Sequence, residues 1–257
     1  MMMAKSCPLE KEEEEVLAKI GNIDLKWKHL RLLRPRTWIN DDIVDCYFTL
    51  LQERADRFAA SWEWRRSFLV GNQGLPDVLA DMVGDYLNSP GLACRFMSSF
   101  LITKMLNSGY QEVKRWSTLS GGKIVGDRLD MVFFPVFMGL HWRLGVINFR
   151  DKRFEYYNSL RICAAERGFM KRVLKKLRTY VEGEADGNVN LEGWRDKVMS
   201  SDDIPQQDNA YDCGVFMCKY AELLSEKRPL EFSALDIPRV RYHMMRSLAT
   251  GRIEAYY

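Results

Sequence analysis

The stretch MVFFPVFMGLHWRLGVINFRDKRFEYYNSL, residues 131–160, decides the architecture. Met131 to Phe137 is a short apolar run of strand length, and its proline points to a place near a sheet edge or a strand end. Trp142 to Phe149 is a second strand candidate and Arg153 to Tyr157 a third, joined through Arg150-Asp151-Lys152. Links this short join antiparallel neighbours, so the stretch predicts a small antiparallel meander.

Upstream of it the pattern is helical. Asn40-Asp41-Asp42 opens a helix: Asn40 caps the free amides, and the two aspartates sit at the positive end of the dipole. Ile43, Val44, Tyr47, Phe48, Leu50 and Leu51 give that helix a buried face. A further helix is expected from Pro76, with Val78, Leu79, Met82, Val83, Tyr86 and Leu87 as its apolar stripe. Cys94 to Trp116 continues in helical style, and Ser120-Gly121-Gly122 interrupts the chain.

Downstream, residues 162–181 read as a helix with Phe169, Val173, Leu174, Leu177 and Val181 inward and a basic outer face of solvated charges. Gly183 to Gly193 reads as a polar loop, Trp194 to Met199 as a short strand, and Cys213 to Leu224 as a helix. Helices, then sheet, then helix predict an α+β fold. No internal repeat or low-complexity linker divides the chain. Residues 1–21 are expected to be an acidic, partly helical arm or a plain solvated terminus, and residues 22–257 one domain.

Composition excludes several functions. A net charge of +3 lacks the basic excess of a dedicated nucleic-acid binder. No apolar run is long enough to cross a bilayer. Met1 to Glu15 is rich in Lys and Glu where a signal peptide needs apolar residues, so an intracellular protein, in nucleus or cytoplasm, is expected. The cysteines Cys7, Cys46, Cys94, Cys163, Cys213 and Cys218 have no paired ligand spacing, which fits free thiols and no metal site. The histidines are His29, His141 and His243, so any Cys-His enzyme has three candidate bases.

Two segments carry chemistry. Gln206-Gln207-Asp208-Asn209-Ala210-Tyr211-Asp212-Cys213-Gly214 is polar and turn-rich, and it ends in a cysteine that begins an apolar helix. The positive end of the helix dipole favours the thiolate, and Gly214 leaves room for a substrate backbone. A helix-start cysteine also fits a purely structural role. Gly139-Leu140-His141-Trp142 places a histidine at a strand start, where it is a candidate base or a satisfied structural residue. Tyr157-Asn158-Ser159-Leu160 ends the third strand, and hairpin pairing brings Asn158 close enough to orient His141. A cysteine, a histidine and a polar orienter follow the logic of a catalytic triad.

These segments together resemble the SUMO-specific proteases, a papain-like cysteine protease family that matures and deconjugates ubiquitin-like modifiers. The resemblance rests on Leu140-His141-Trp142 with Leu144 and Ile147, Tyr157-Asn158-Ser159-Leu160, and Pro205-Gln206-Gln207 through Asp212-Cys213-Gly214. Trp38-Ile39-Asn40-Asp41 resembles the element that opens the family's catalytic domain, and the likeness spans roughly Leu33 to Leu224. It implies Cys213 as nucleophile, His141 as base, Asn158 as orienter and Gln207, six positions before Cys213, as oxyanion donor. It implies Trp38 and Trp142 as walls of a tunnel for a Gly-Gly tail, where core aromatics are the plainer reading. Asp41 would meet a basic residue of the modifier, or serve the helix dipole alone. No cofactor is implied, and a monomer acting on SUMO or a related modifier is expected.

Two positions depart from the family. Relatives usually carry aspartate where this chain has Asn158, and commonly glycine where it has Ala210. Papain-like enzymes use Cys-His-Asn, so asparagine fits an active site, and Asn158→Asp is expected to keep or raise activity. A modifier-binding pseudoprotease and an acyltransferase on a related Cys-His fold are the competing classes.

Overall fold

Asn40 caps the longest helix as its sequence predicts, its Oδ1 accepting the Ile43 N–H at 3.2 Å. The computed structural model describes residues 13–71, 92–116, 129–199 and 201–253. A hairpin of β1 (Val16–Ile20) and β2 (Ile23–Lys26) leads through the short α1 (Trp27–Leu30) to α2 (Asp41–Gly71). Then come β3 (Cys94–Phe96), α3 (Ser99–Ser108), β4 (Met131–Met138), β5 (His141–Asn148) and β6 (Arg153–Tyr157). The chain ends with α4 (Ala164–Glu184), β7 (Arg195–Val198), α5 (Cys213–Ser225) and α6 (Ile237–Thr250).

The meander is the centre of a five-stranded sheet of order β3-β4-β5-β6-β7. β4, β5 and β6 pair antiparallel, while the outer strands β3 and β7 run parallel to their neighbours. Met138 pairs with His141 across a two-residue turn in which Gly139 and Leu140 have φ of 60° and 61°. That left-handed pair matches the twist of a tight hairpin and makes His141 the first residue of β5. β3 ends opposite Phe133, so Pro135 lies where β4 has no strand partner on one side.

Both faces of the sheet are covered, which explains why the strands read as continuous apolar runs. On one face Phe133, Trp142, Leu144, Val146 and Tyr157 pack with residues of α2, α5 and α6. On the other, Val132, Phe134, Ile147, Phe154 and Tyr156 meet α3 and α4. α4 comes close over Gly145, where a Cβ would lie 3.2 Å from Leu177 Cδ1. The α+β expectation is met.

Three details differ from the sequence reading. Cys94–Phe96 is strand rather than helix, because it finds β4 on one side and the Gln52 side chain on the other. α6 was not anticipated. The hairpin of β1 and β2 crosses the boundary drawn at residue 21, with Ile20 in the core and Glu14 bonded to Lys26 and Lys28, both at 2.7 Å. The helix expected from Pro76 and the break at Ser120-Gly121-Gly122 lie outside the described residues. Among the described residues no helix is long and apolar enough to cross a membrane.

Candidate active site

The turn before Cys213 is built by Asn209. Its Oδ1 accepts the N–H groups of Tyr211 and Asp212, both at 3.0 Å, and its Nδ2 donates to Asp212 Oδ2 at 2.7 Å. Every residue of α5 from Cys213 to Leu223 is buried, as befits a helix whose faces all meet protein. Burial pushes the Cys213 thiol above its ordinary pKa, and the backbone N–H groups of Trp142, Gly214 and Cys213 itself pull it back only in part. Burial thus opposes the thiolate that the helix start favours. Gly214 also differs from expectation. A Cβ there would lie 2.5 Å from Ile39 Cγ1 and 3.0 Å from Trp142 Cδ1, so this glycine admits neighbouring side chains rather than substrate.

His141 begins β5, and Asn158 follows the last residue of β6. Leu144 pairs with Tyr157, so the hairpin register delivers Asn158 to the start of β5. The ring Nε2 of His141 lies 2.7 Å from Asn158 Oδ1. The same oxygen accepts the Leu160 N–H at 2.9 Å, while Asn158 Nδ2 donates to Glu166 Oε1 at 3.2 Å. The amide orientation is thus fixed from both ends, and His141 Nε2 is the donor. In the neutral ring Nδ1 then carries the free lone pair. Burial holds the His141 pKa below its ordinary value, with the Asn158 hydrogen bond partly offsetting it.

Gln207 is buried beside these groups. Its Oε1 accepts from Ser159 Oγ at 2.6 Å, and its Nε2 donates to the Asn209 carbonyl at 2.5 Å. Its backbone N–H donates to Ser159 O at 2.9 Å, so the segment before the nucleophile is tied to the residue after Asn158. Trp38, Asp41 and Trp142 line one groove of about 360 Å³, together with Ile39, Phe100 and Phe137. Trp142 is 4% exposed and donates Nε1–H to Ile39 O at 3.3 Å, whereas Trp38 is 43% exposed. All the sequence-derived candidates therefore fall in one region. Among the described residues no group of three or more His, Cys, Asp or Glu is placed to hold a metal ion.

Sequence reasoning missed two ion pairs around this region. Arg143 forms a bidentate pair with Glu166, Nε to Oε1 at 2.5 Å and Nη2 to Oε2 at 2.8 Å. Arg241 of α6 pairs with Asp212, Nη2 to Oδ1 at 2.6 Å. The first had a signal: a charged residue inside an apolar strand must find a partner. The second had none, because its members lie 29 residues apart on separate elements.

Residues 76–251 match the Ulp1 protease family, C-terminal catalytic domain. The chain is 29% identical to ubiquitin-like-specific protease 1A of Arabidopsis thaliana over 96% of its own length and 46% of that protein's. It is 27% identical to human sentrin-specific protease 2, covering 91% of this chain and 33% of the relative. It thus spans about half or less of the length of these two curated relatives. Its fold superposes on the C-terminal Ulp1 protease domain in complex with Smt3, the yeast orthologue of SUMO, with a TM-score of 0.71. That likeness has 23% identity and covers 96% of this chain and 94% of the other.

Proposed function

We propose, from the premise that this chain belongs to the Ulp1 protease family, that it is a thiol-dependent peptidase and isopeptidase acting on SUMO or a related ubiquitin-like modifier. It cleaves after the modifier's C-terminal Gly-Gly, in precursors or in conjugates, in the nucleus or cytoplasm. One observation carries this reading. The Cys213 thiol sits on the backbone amide of Trp142, the residue after His141, whose ring is locked by Asn158.

The resting pair is neutral, since burial disfavours both the thiolate and the imidazolium. His141 Nδ1 takes the thiol proton as sulfur attacks the glycine carbonyl carbon. The carbonyl π electrons move to oxygen, where the Cys213 N–H and the second Nε2 hydrogen of Gln207 receive the negative charge. Collapse expels the amine, which takes the proton from His141, and leaves a thioester. Water, deprotonated by His141, then attacks that thioester and regenerates the thiol. Trp38 and Trp142 flank the tail and leave no room for a side chain on the penultimate residue, while Asp41 faces the modifier.

Hydrolysis of fluorophore-tagged SUMO and ubiquitin tests this. Cleavage of the SUMO substrate, lost in Cys213→Ala, is expected. Reversible binding without turnover would indicate a modifier-binding protein, and acetyl transfer from acetyl-coenzyme A an acyltransferase.

A further inference from the structure

We propose that Glu166 is a positioning residue for His141, acting through Asn158, and that Arg143 holds it there. The inference rests on the protease reading above. It extends that reading by assigning a carboxylate to the site one residue removed from the base, where Asn158 itself carries no charge.

Five side chains form a network that begins and ends at His141. Arg143 donates Nη1–H to the carbonyls of Met138 at 2.8 Å and His141 at 2.9 Å, which fixes the backbone of the hairpin that presents the base. Its other nitrogens grip both oxygens of Glu166. Tyr156 donates its hydroxyl to the same carboxylate, and Asn158 Nδ2 completes the set. Asn158 Oδ1 then returns to His141 Nε2. Glu166 sits in the first turn of α4, where the helix N-terminus favours an anion. The guanidinium also lies 4.8 Å from the centre of the Phe169 ring, so it is packed as well as paired.

The carboxylate has two effects on the base. First, it decides which end of the Asn158 amide meets the ring. A flipped amide would set oxygen against the carboxylate and nitrogen against the Leu160 N–H, two repulsive contacts in place of two hydrogen bonds. Second, its charge favours the imidazolium that forms when the thiol gives up its proton. Burial alone would raise the Glu166 carboxyl, but the hydrogen bonds from Arg143 and Tyr156 outweigh it and keep the group ionised. The charged and titratable groups around the base come from several elements: Arg143 on β5, Tyr156 on β6, Glu166 on α4 and the Cys213 thiol on α5.

This arrangement reverses the expectation for Asn158→Asp. The new carboxylate oxygen would stand where Nδ2 now lies, 3.2 Å from Glu166 Oε1. Two carboxylates that close do not both ionise freely, and a single Arg143 offsets one of them. A charge swap relieves the conflict: Asn158→Asp with Glu166→Gln leaves one carboxylate in place of two, and the cluster keeps its net charge.

Hydrolysis of a Gly-Gly-ended modifier–fluorophore is followed across pH for wild type, Glu166→Gln, Asn158→Asp and the double variant, with thermal unfolding to confirm folding. Loss of the nearby anion lowers the imidazolium pKa, and neutral His141 is the form that accepts the proton, so Glu166→Gln shifts the acidic limb of kcat down by about one pH unit with KM unchanged. Asn158→Asp lowers kcat/KM, and adding Glu166→Gln to it raises activity about tenfold or more, a coupling expected of residues in contact. The double variant guards against a folding artefact, because the cluster has the same net charge as in wild type. Cys213-dependent hydrolysis in which the two substitutions act additively, with an unmoved acidic limb, overturns this inference alone. Hydrolysis that survives Cys213→Ala overturns the protease reading and this inference with it.

Discussion

Replacing Arg241 with methionine keeps most of the aliphatic stem and removes one buried charge. Arg241 is 2% exposed and Asp212 6%. The guanidinium donates to Asp212 Oδ1 from Nε at 3.0 Å and Nη2 at 2.6 Å. It also reaches the carbonyls of Leu32 and Arg34, each at 3.2 Å, and Thr37 at 2.7 Å. The substitution leaves the Asp212 carboxylate with Asn209 Nδ2 and the three carbonyls short of a donor. Breaking a buried pair from one side costs about 3–5 kcal/mol, against at most ~1 kcal/mol for a surface pair. At about 2–4 °C per kcal/mol for a chain of this size, the Tm falls by about 6–20 °C. The effect reaches the site, because residues 32–37 lead into Trp38 and Asp212 precedes Cys213. kcat/KM for a Gly-Gly-ended substrate should therefore fall even at 15 °C, where the variant is still folded. Adding Asp212→Asn removes the orphaned charge and should recover part of the lost Tm. Scanning calorimetry and steady-state kinetics on wild type and the two variants supply both readouts. A Tm for Arg241→Met within about 2 °C of wild type would refute the claim that this pair organises the start of α5.

Two further outcomes follow from the groove and the thiol. Trp142→Ala opens the wall beside Gly214, where a Cβ would already be 3.0 Å from the indole; cleavage of a Gly-Gly tail should drop by about a hundredfold, the scale of a misplaced reacting group. A bulky penultimate residue on the substrate should be as harmful to wild type, and efficient cleavage of such a tail would rule out a narrow tunnel. Alkylation of substrate-free Cys213 by iodoacetamide, followed by peptide mapping in a Cys163→Ser background that removes an exposed thiol, reports the thiol directly. Because burial raises its pKa, the thiolate fraction is small at neutral pH and the rate should climb as pH rises beyond 9; a rate already at its plateau at pH 6 would show a resting ion pair instead.

The meander was legible because three apolar runs of strand length are joined by links too short for a crossover. α5 was legible because a turn-rich segment ends at Cys213 in a largely apolar run. β3 was not: Cys94–Phe96 is three residues long, and only the edge of β4 makes it a strand. α6 carried a readable stripe of Val240, Met244 and Leu248 after Pro238, with a capping box of Ser233 and Asp236 just upstream, so its pattern was local and available. The candidate site residues were legible one by one. What holds them was not, because Arg143–Glu166 and Asp212–Arg241 join residues distant in sequence. Gly214 shows the limit of reading a residue type alone: the sequence suggests space for substrate, and Ile39 and Trp142 occupy it.

The central claim is that Cys213 attacks the carbonyl of a Gly-Gly tail held between Trp38 and Trp142. It is tested most directly by intact-mass and peptide mass spectrometry after incubation with SUMO whose terminal glycine is replaced by an electrophilic vinyl ester. The account predicts one modifier per chain, bonded at Cys213, with no adduct in Cys213→Ala and slower formation in His141→Ala. An adduct at Cys163, or none at any cysteine while the probe binds reversibly, would contradict it.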